Sequence, residues 1–161
     1  MKIAVVSDTH DNWGNFEKAI DWVKKEKISL ILHCGDIASQ ETIDKAVKYF
    51  SGGEIKFVKG NADYELDLPE KMELELNGKK ISFCHFPNVA KKLAQSGEFD
   101  LVFYGHTHRP WDEKVACPEL SRRRECHMIN PGELAGHFYM ASFAVYDTET
   151  GKLELKILEK L

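Results

Sequence analysis

The sequence predicts an α/β domain built from two mixed β-sheets packed face to face, with helices outside. Two observations carry that expectation. Short apolar runs alternate with helical periodicity in the first half, and strand–turn–strand patterns fill the second. No repeat, low-complexity stretch or linker interrupts residues 1–161, so the whole chain is read as one domain.

Ile3-Ala4-Val5-Val6 is an unbroken apolar run and reads as a buried strand. Phe16, Ala19, Ile20 and Val23 recur at i, i+3, i+4 and i+7, which gives a helix one apolar face. Leu30-Ile31-Leu32 is a second buried strand. Ser39 is suited to cap a second helix, whose apolar face is expected to carry Ile43, Ala46, Val47 and Phe50. A third short strand follows at 55–58. The β-α-β-α-β order implies parallel strands joined by right-handed crossovers.

The pattern then changes. Met72, Leu74 and Leu76 alternate with Glu73, Glu75 and Asn77, as in a half-exposed strand. Asn77-Gly78 is a hairpin turn, and the return strand carries Ile81 and Phe83. Asn88 is expected to cap a third helix that Gly97 ends. Leu101 to Tyr104 is a further buried strand. Trp111 to Ile129 reads as a hairpin with an exposed loop at Arg122-Arg123-Arg124, taken as a solvated tip. Phe143–Val145 and Leu153–Ile157 form a last hairpin across the turn from Thr148 to Gly151.

Composition narrows the function classes. The chain is 43% hydrophobic and 30% charged, with a net charge of −4, so a stable nucleic-acid partner is not expected. No apolar run approaches the roughly 18 residues that span a membrane, and no signal-peptide layout precedes the first strand. A cytoplasmic protein is expected. The four cysteines lack zinc-type spacing. Cys34 and Cys84 read as buried thiols. Cys117 and Cys126 flank a loop and could face each other across a hairpin, with thiols favoured over a disulfide.

Five short segments each follow an apolar strand: Asp8-Thr9-His10, Gly35-Asp36, Gly60-Asn61-Ala62-Asp63, Cys84-His85 and Gly105-His106-Thr107-His108. Ligands of α/β sheets gather outside the carboxyl ends of strands, so these segments are expected to converge on one edge. Taken singly, each has a plain structural explanation: a capped turn, a loop start or a satisfied core histidine. Together they offer carboxylate, imidazole and amide donors, which suit manganese, iron, nickel, cobalt or zinc. The donors are too many for one ion, and Asp36 is placed to bridge two. Two ions about 3.5–4 Å apart clamp the attacking and leaving oxygens of a phosphoryl centre, with a bridging hydroxide as nucleophile. His33 is expected to be held by a hydrogen bond at the sheet edge. His127 and His137 are taken as structural or exposed, and Arg109 as a surface ion-pair partner.

The ordered set Asp-x-His, Gly-Asp, Gly-Asn, His and Gly-His-x-His resembles the calcineurin-like metallophosphoesterase superfamily. Asn130-Pro131-Gly132-Glu133 and the chain length resemble its small bacterial and archaeal phosphodiesterases. The resemblance covers essentially the whole chain and implies a four-layer α/β/β/α sandwich. Carried over position by position, it implies that Asp8, His10, Asp36 and His108 hold one divalent metal ion. Asp36, Asn61, His85 and His106 hold the other. Manganese is taken first among the metals, and Asp36, Asn61 and His85 are also given catalytic roles. A small phosphodiester is the expected substrate, a nucleotide among the candidates, and a homo-oligomer is left open.

Two positions depart from the family pattern. Larger members carry a proton-donating His after Gly-Asn, where this chain has Ala62. A His placed there could serve, provided Asp63 orients it as the family pattern suggests. Small relatives often follow the lone ligand His with Gly and His, where this chain has Phe86 and Pro87. The competing reading is a protein-interaction scaffold, because the eukaryotic retromer subunit of similar size resembles this fold. That scaffold lacks some of the metal histidines, whereas all are present here.

Overall fold

The computed structural model describes residues 1–117 and 125–161. Among the described residues ten strands form two five-stranded sheets. The first sheet contains β1 (Lys2–Val6), β2 (Leu30–His33), β3 (Glu54–Phe57), β9 (Ser142–Asp147) and β10 (Leu153–Ile157), in the order β10-β9-β1-β2-β3. The second contains β4 (Lys71–Leu76), β5 (Lys79–Cys84), β6 (Leu101–Phe103), β7 (Trp111–Ala116) and β8 (Glu125–Asn130), in the order β4-β5-β6-β8-β7. β1, β2 and β3 run parallel, as do β5, β6 and β8; β9 pairs antiparallel with β1 and with β10, and β4 and β7 are antiparallel hairpin partners at the edges of the second sheet.

Alternation along each strand builds the layers. Ile3 and Val5 of β1 face inward with Leu32, Phe83, Leu101, Phe103 and Ile129, forming the core between the sheets. Ala4 and Val6 face the other way, against Phe16, Ala19, Ile20 and Val23 of α1 (Trp13–Lys25) and Ile43, Ala46 and Phe50 near α2 (Gln40–Tyr49). On the far side, Val102, Tyr104 and Met128 meet Ala90 and Ala94 of α3 (Pro87–Gln95). The result is the α/β/β/α order. Truncating a fully buried ring such as Phe103 would cost about 3–5 kcal/mol.

The local signals hold with two changes. Ser39 caps α2 by accepting from the Thr42 amide, and Asn77 and Gly78 both take positive φ, as a tight hairpin turn requires. α3 instead starts at Pro87, with Phe86 as its cap, because proline's fixed φ and missing N–H suit the first helical position better than Asn88 does. Val47 is 53% exposed, whereas Ile43, Ala46 and Phe50 are buried against the first sheet, so Val47 falls outside the apolar face of α2.

β7 and β8 form the expected hairpin. Arg122, Arg123 and Arg124 lie outside the described residues. Among the described residues no disulfide forms, and Cys117 Sγ donates to the Gln95 carbonyl. None of the described helices is long and apolar enough to cross a membrane.

Candidate metal centre

The register of the sheets aligns the strand ends. Val6 pairs with His33 and His33 with Phe57, so β1, β2 and β3 end level and release Asp8, Asp36 and Asn61 on one edge. In the second sheet Phe83 pairs with Phe103 and Phe103 with Ile129, so His85, His106 and the 130–133 segment emerge together. The loops then interlock. Asp8 N donates to Gly35 O, His10 N to Asp36 O and Asp11 N to Ile37 O, each at 3.0 Å.

All seven sequence-predicted ligands meet at this edge, in two groups. Asp8, His10, Asp36 and His108 bring one donor atom each to within 4.8 Å of one another. Asp36 Oδ2 lies 3.6 Å from His10 Nε2, while its Oδ1 lies 3.5 Å from His85 Nε2. Asn61 Oδ1 stands 3.1 Å from His85 Nε2 and 2.9 Å from His106 Nδ1. The two carboxylate oxygens of Asp36 therefore face different groups.

The donor atoms fit a cation. Asp8 is fully buried and His10 partly so, yet Asp8 Oδ1 and His10 Nε2 have no hydrogen-bond partner among the described residues. Buried donors and acceptors are rarely left unsatisfied, so two converging on one point imply a ligand between them. Five candidate ligands, Asp8, His10, Asp36, His106 and His108, also have positive φ, between 44° and 70°. That conformation is uncommon for non-glycine residues and clusters where function demands it. A Cβ on Gly60 would overlap Asp36 Oδ1, so glycine is required beside the Asp36 carboxylate.

Outer contacts fix the imidazoles. His85 Nδ1 lies 2.8 Å from the Cys34 carbonyl, which can only accept, so Nδ1 carries the proton and Nε2 presents its lone pair. His108 Nδ1 lies 2.9 Å from Glu133 Oε2, which orients Nε2 toward Asp8 at 3.2 Å. The Asp8 carboxylate outweighs burial, with help from Glu133, and pushes the His108 pKa up to about 9. Burial opposes the charge on Asp8, but His108 and Ser7 hold its carboxyl below the usual range. A cation at this point competes with the proton for the same ring nitrogen.

Two carboxylates that the motifs do not count as ligands organise the site. Glu133 is fully buried and also accepts the amides of His137, Phe138 and Tyr139. These bonds draw its pKa down against burial. Asp63 accepts four amides: Asp36 and Gly60 on Oδ2, Ile37 and Ala38 on Oδ1, each at 2.8 Å. A carboxylate has about four lone-pair sites, so Asp63 is saturated and would not orient a histidine at position 62; that condition is not met. The only sequence cues to these two residues were an acid after Asn130-Pro131-Gly132 and another after Gly60-Asn61.

Three other histidines and Arg109 take different places. His33 is fully buried, accepting from Gly35 N on Nδ1 and lying 2.7 Å from Thr9 Oγ1 through Nε2. His127 pairs with Asp112 at 3.0 Å. His137 is exposed as expected, but its ring centroid lies 5.7 Å from that of His10, so it borders the site. Arg109 lies over the Trp111 ring at 5.5 Å, a cation–π contact where an ion pair was expected.

This arrangement defines an enzyme of the phosphoesterase class. The chain belongs to the calcineurin-like phosphoesterase superfamily, whose domain model matches residues 1–151. Phosphodiesterase MJ0936 of Methanocaldococcus jannaschii is 30% identical over 176 aligned positions, spanning 99% of this chain and 100% of the relative. A solved structure of an archaeal phosphodiesterase superposes with a TM-score of 0.82 at 27% identity, covering 98% of this chain and 99% of that one. Zinc-bound Vps29 from Entamoeba histolytica superposes with a TM-score of 0.71 over 97% of each chain. At 17% identity that likeness shows the fold alone.

Proposed function

We propose that this chain hydrolyses phosphodiesters using two divalent cations that share Asp36. The observation that carries the reading is the convergence of Asp8, His10, Asp36 and His108 donor atoms within 4.8 Å, with Asp8 Oδ1 and His10 Nε2 buried and without a hydrogen bond among the described residues, beside a carboxylate whose other oxygen turns to a second donor group. Asp8, His10, Asp36 and His108 would hold one cation; Asp36, Asn61, His85 and His106 the other. Such a pair supplies the attacking hydroxide from water and neutralises charge on the phosphoryl oxygens.

The protein's share is positional. Glu133 and the Cys34 carbonyl fix the rings of His108 and His85 with lone pairs inward. Asp63 holds the Asp36 and Gly60 loops in register, so the bridging carboxylate is set before substrate arrives. Ala62 presents a methyl group and an amide that donates to Asp36 Oδ1, so position 62 has no side-chain proton to give a leaving oxygen. The complete donor set favours catalysis over the scaffold reading. Manganese leads the candidate metals, followed by nickel, iron, cobalt and zinc.

The test is metal-stripped protein reconstituted with each metal in turn. Elemental analysis should find two equivalents per chain, and hydrolysis of bis(p-nitrophenyl) phosphate should appear only after loading. A single equivalent at full activity, or unchanged turnover after chelation, contradicts the reading.

A further inference from the structure

Beside the Asn61–His85 group the surface opens into a cavity of about 530 Å³. That volume is ordinary for a small-molecule site. Gly60, Asn61 and His85 form its inner wall, so the cavity and the second donor group share residues. Its other lining includes Phe86, Tyr64 and Val89, with the charged side chains of Lys59, Lys71 and Glu70.

The aromatics are not explained by packing. Tyr64 is 75% exposed, and the Phe86 side chain is exposed between the cavity and the ligands. The Phe86 ring stands edge-on to His85 and His106, with centroids 5.0 and 5.1 Å away. A face left open beside two imidazoles is a platform for a flat group entering from the cavity. The wall is also braced. Lys59 Nζ donates to the carbonyls of Tyr64 and Leu66, and Lys59 N donates to Pro69 O. Phe86 is fixed as the cap of α3 by the amides of Val89 and Ala90 on its carbonyl.

We infer that this cavity receives one ester arm of the substrate and selects arms carrying a planar aromatic group, stacked against Phe86 with Tyr64 closing over it. This rests on the phosphodiesterase reading, because the phosphoryl group at the shared wall is what directs an arm into the cavity. A nucleobase and a simple aryl ring share the required chemistry.

Calorimetric titration of the metal-loaded protein with non-hydrolysable phosphonates tests it. Phenylphosphonate, a nucleoside 5′-phosphonate and methylphosphonate are compared. At least one aromatic ligand should bind roughly tenfold more tightly than methylphosphonate, the size of about one good aromatic contact. Phe86→Ala should bring that ratio to within about twofold and leave the methylphosphonate affinity unchanged. Tyr64→Ala, at an exposed position that packing does not need, should reduce it by less. Tighter binding of the nucleoside ligand than of phenylphosphonate identifies a nucleotide; equal binding identifies simple aryl esters. Equal affinities for all three ligands, or a preference that survives both substitutions, overturns the inference. Hydrolysis of bis(p-nitrophenyl) phosphate by the same preparation separates the cases: turnover without aromatic preference refutes the cavity assignment alone, whereas absent turnover refutes the underlying function.

Discussion

The two donor groups that meet at Asp36 are built differently. The Asp8, His10 and His108 group is backed by a fully buried glutamate, and two of its atoms, Asp8 Oδ1 and His10 Nε2, make no hydrogen bond among the described residues and have only ion-pair contacts, to His108 and Asp36. In the Asn61, His85 and His106 group, Asn61 Oδ1 lies between two imidazoles and faces the His85 Nε2 lone pair, and the group borders an open cavity. On the proposed reading, the first group would grip an ion, and the second would grip one while leaving one side to substrate. The same edge of two sheets thus supports a closed and an open half, joined by one carboxylate.

Removing the join should have the largest effect. Asp36→Asn lowers the charge facing both halves at once, so turnover should fall by about 10³-fold or more, with metal content reduced at both sites. Full activity with undiminished metal, measured on one preparation, would break the two-group description.

The open half lacks a proton donor at position 62. A positioned general acid is typically worth about 10²–10⁴-fold. Rates across a series of aryl phosphodiesters should therefore fall steeply as leaving-group pKa rises. A flat series, with chemistry shown to be rate-limiting, means that another group supplies the proton.

The closed half can be weakened alone. Glu133→Gln keeps the shape but removes the carboxylate behind His108, and should weaken one metal equivalent by about 10–100-fold. Competition with a calibrated chelator measures it. Equal loss at both equivalents would mean that the halves are not separable.

His33 lies beneath the closed half and carries an acid-stability signature. Burial pushes its pKa down to about 4, from an ordinary 6.5. The folded protein therefore holds it neutral, and the unfolded chain binds the proton first. Stability from this group is complete above about pH 6.5 and declines as pH drops toward 4, by about 3 kcal/mol. Urea midpoints of the metal-free protein at pH 7 and 4.5 should differ less in His33→Gln than in the parent. An identical pH dependence in the two would remove His33 as the cause.

Cys117 and Cys126 lie outside both halves and provide the smallest effect. Replacing both with Ser should leave metal content unchanged by elemental analysis. Loss of an equivalent would extend the centre to the β7–β8 hairpin.

Much of this edge was legible because strand periodicity and short polar segments coincide in the sequence. Val6, His33 and Phe57 end their strands level, so the order of ligands along the chain predicted their convergence in space. Glu133 and Asp63 were not legible as organisers. Their roles depend on which backbone amides the loops aim at them, and loop direction leaves no periodic trace. The nearness of His137 to the site was not legible for a related reason: nothing local to residues 131–141 shows that the segment folds back toward His10. The cap of α3 moved from Asn88 to Phe86 because the sequence offered two valid start signals and the proline outranked the asparagine.

Asp63 has a consequence for how the centre behaves in time. Its carboxylate gathers four amides from two loops that belong to no strand. Loop amides ordinarily exchange their hydrogens with solvent quickly, at the low-stability end of a protein. Those of Asp36, Ile37, Ala38 and Gly60 are instead locked to one buried oxygen pair, so their exchange waits on the same opening that frees neighbouring strands. The loop that carries Asp36 should then be a slow-exchanging element, and the proposed metal site one whose loading requires no folding of the loops.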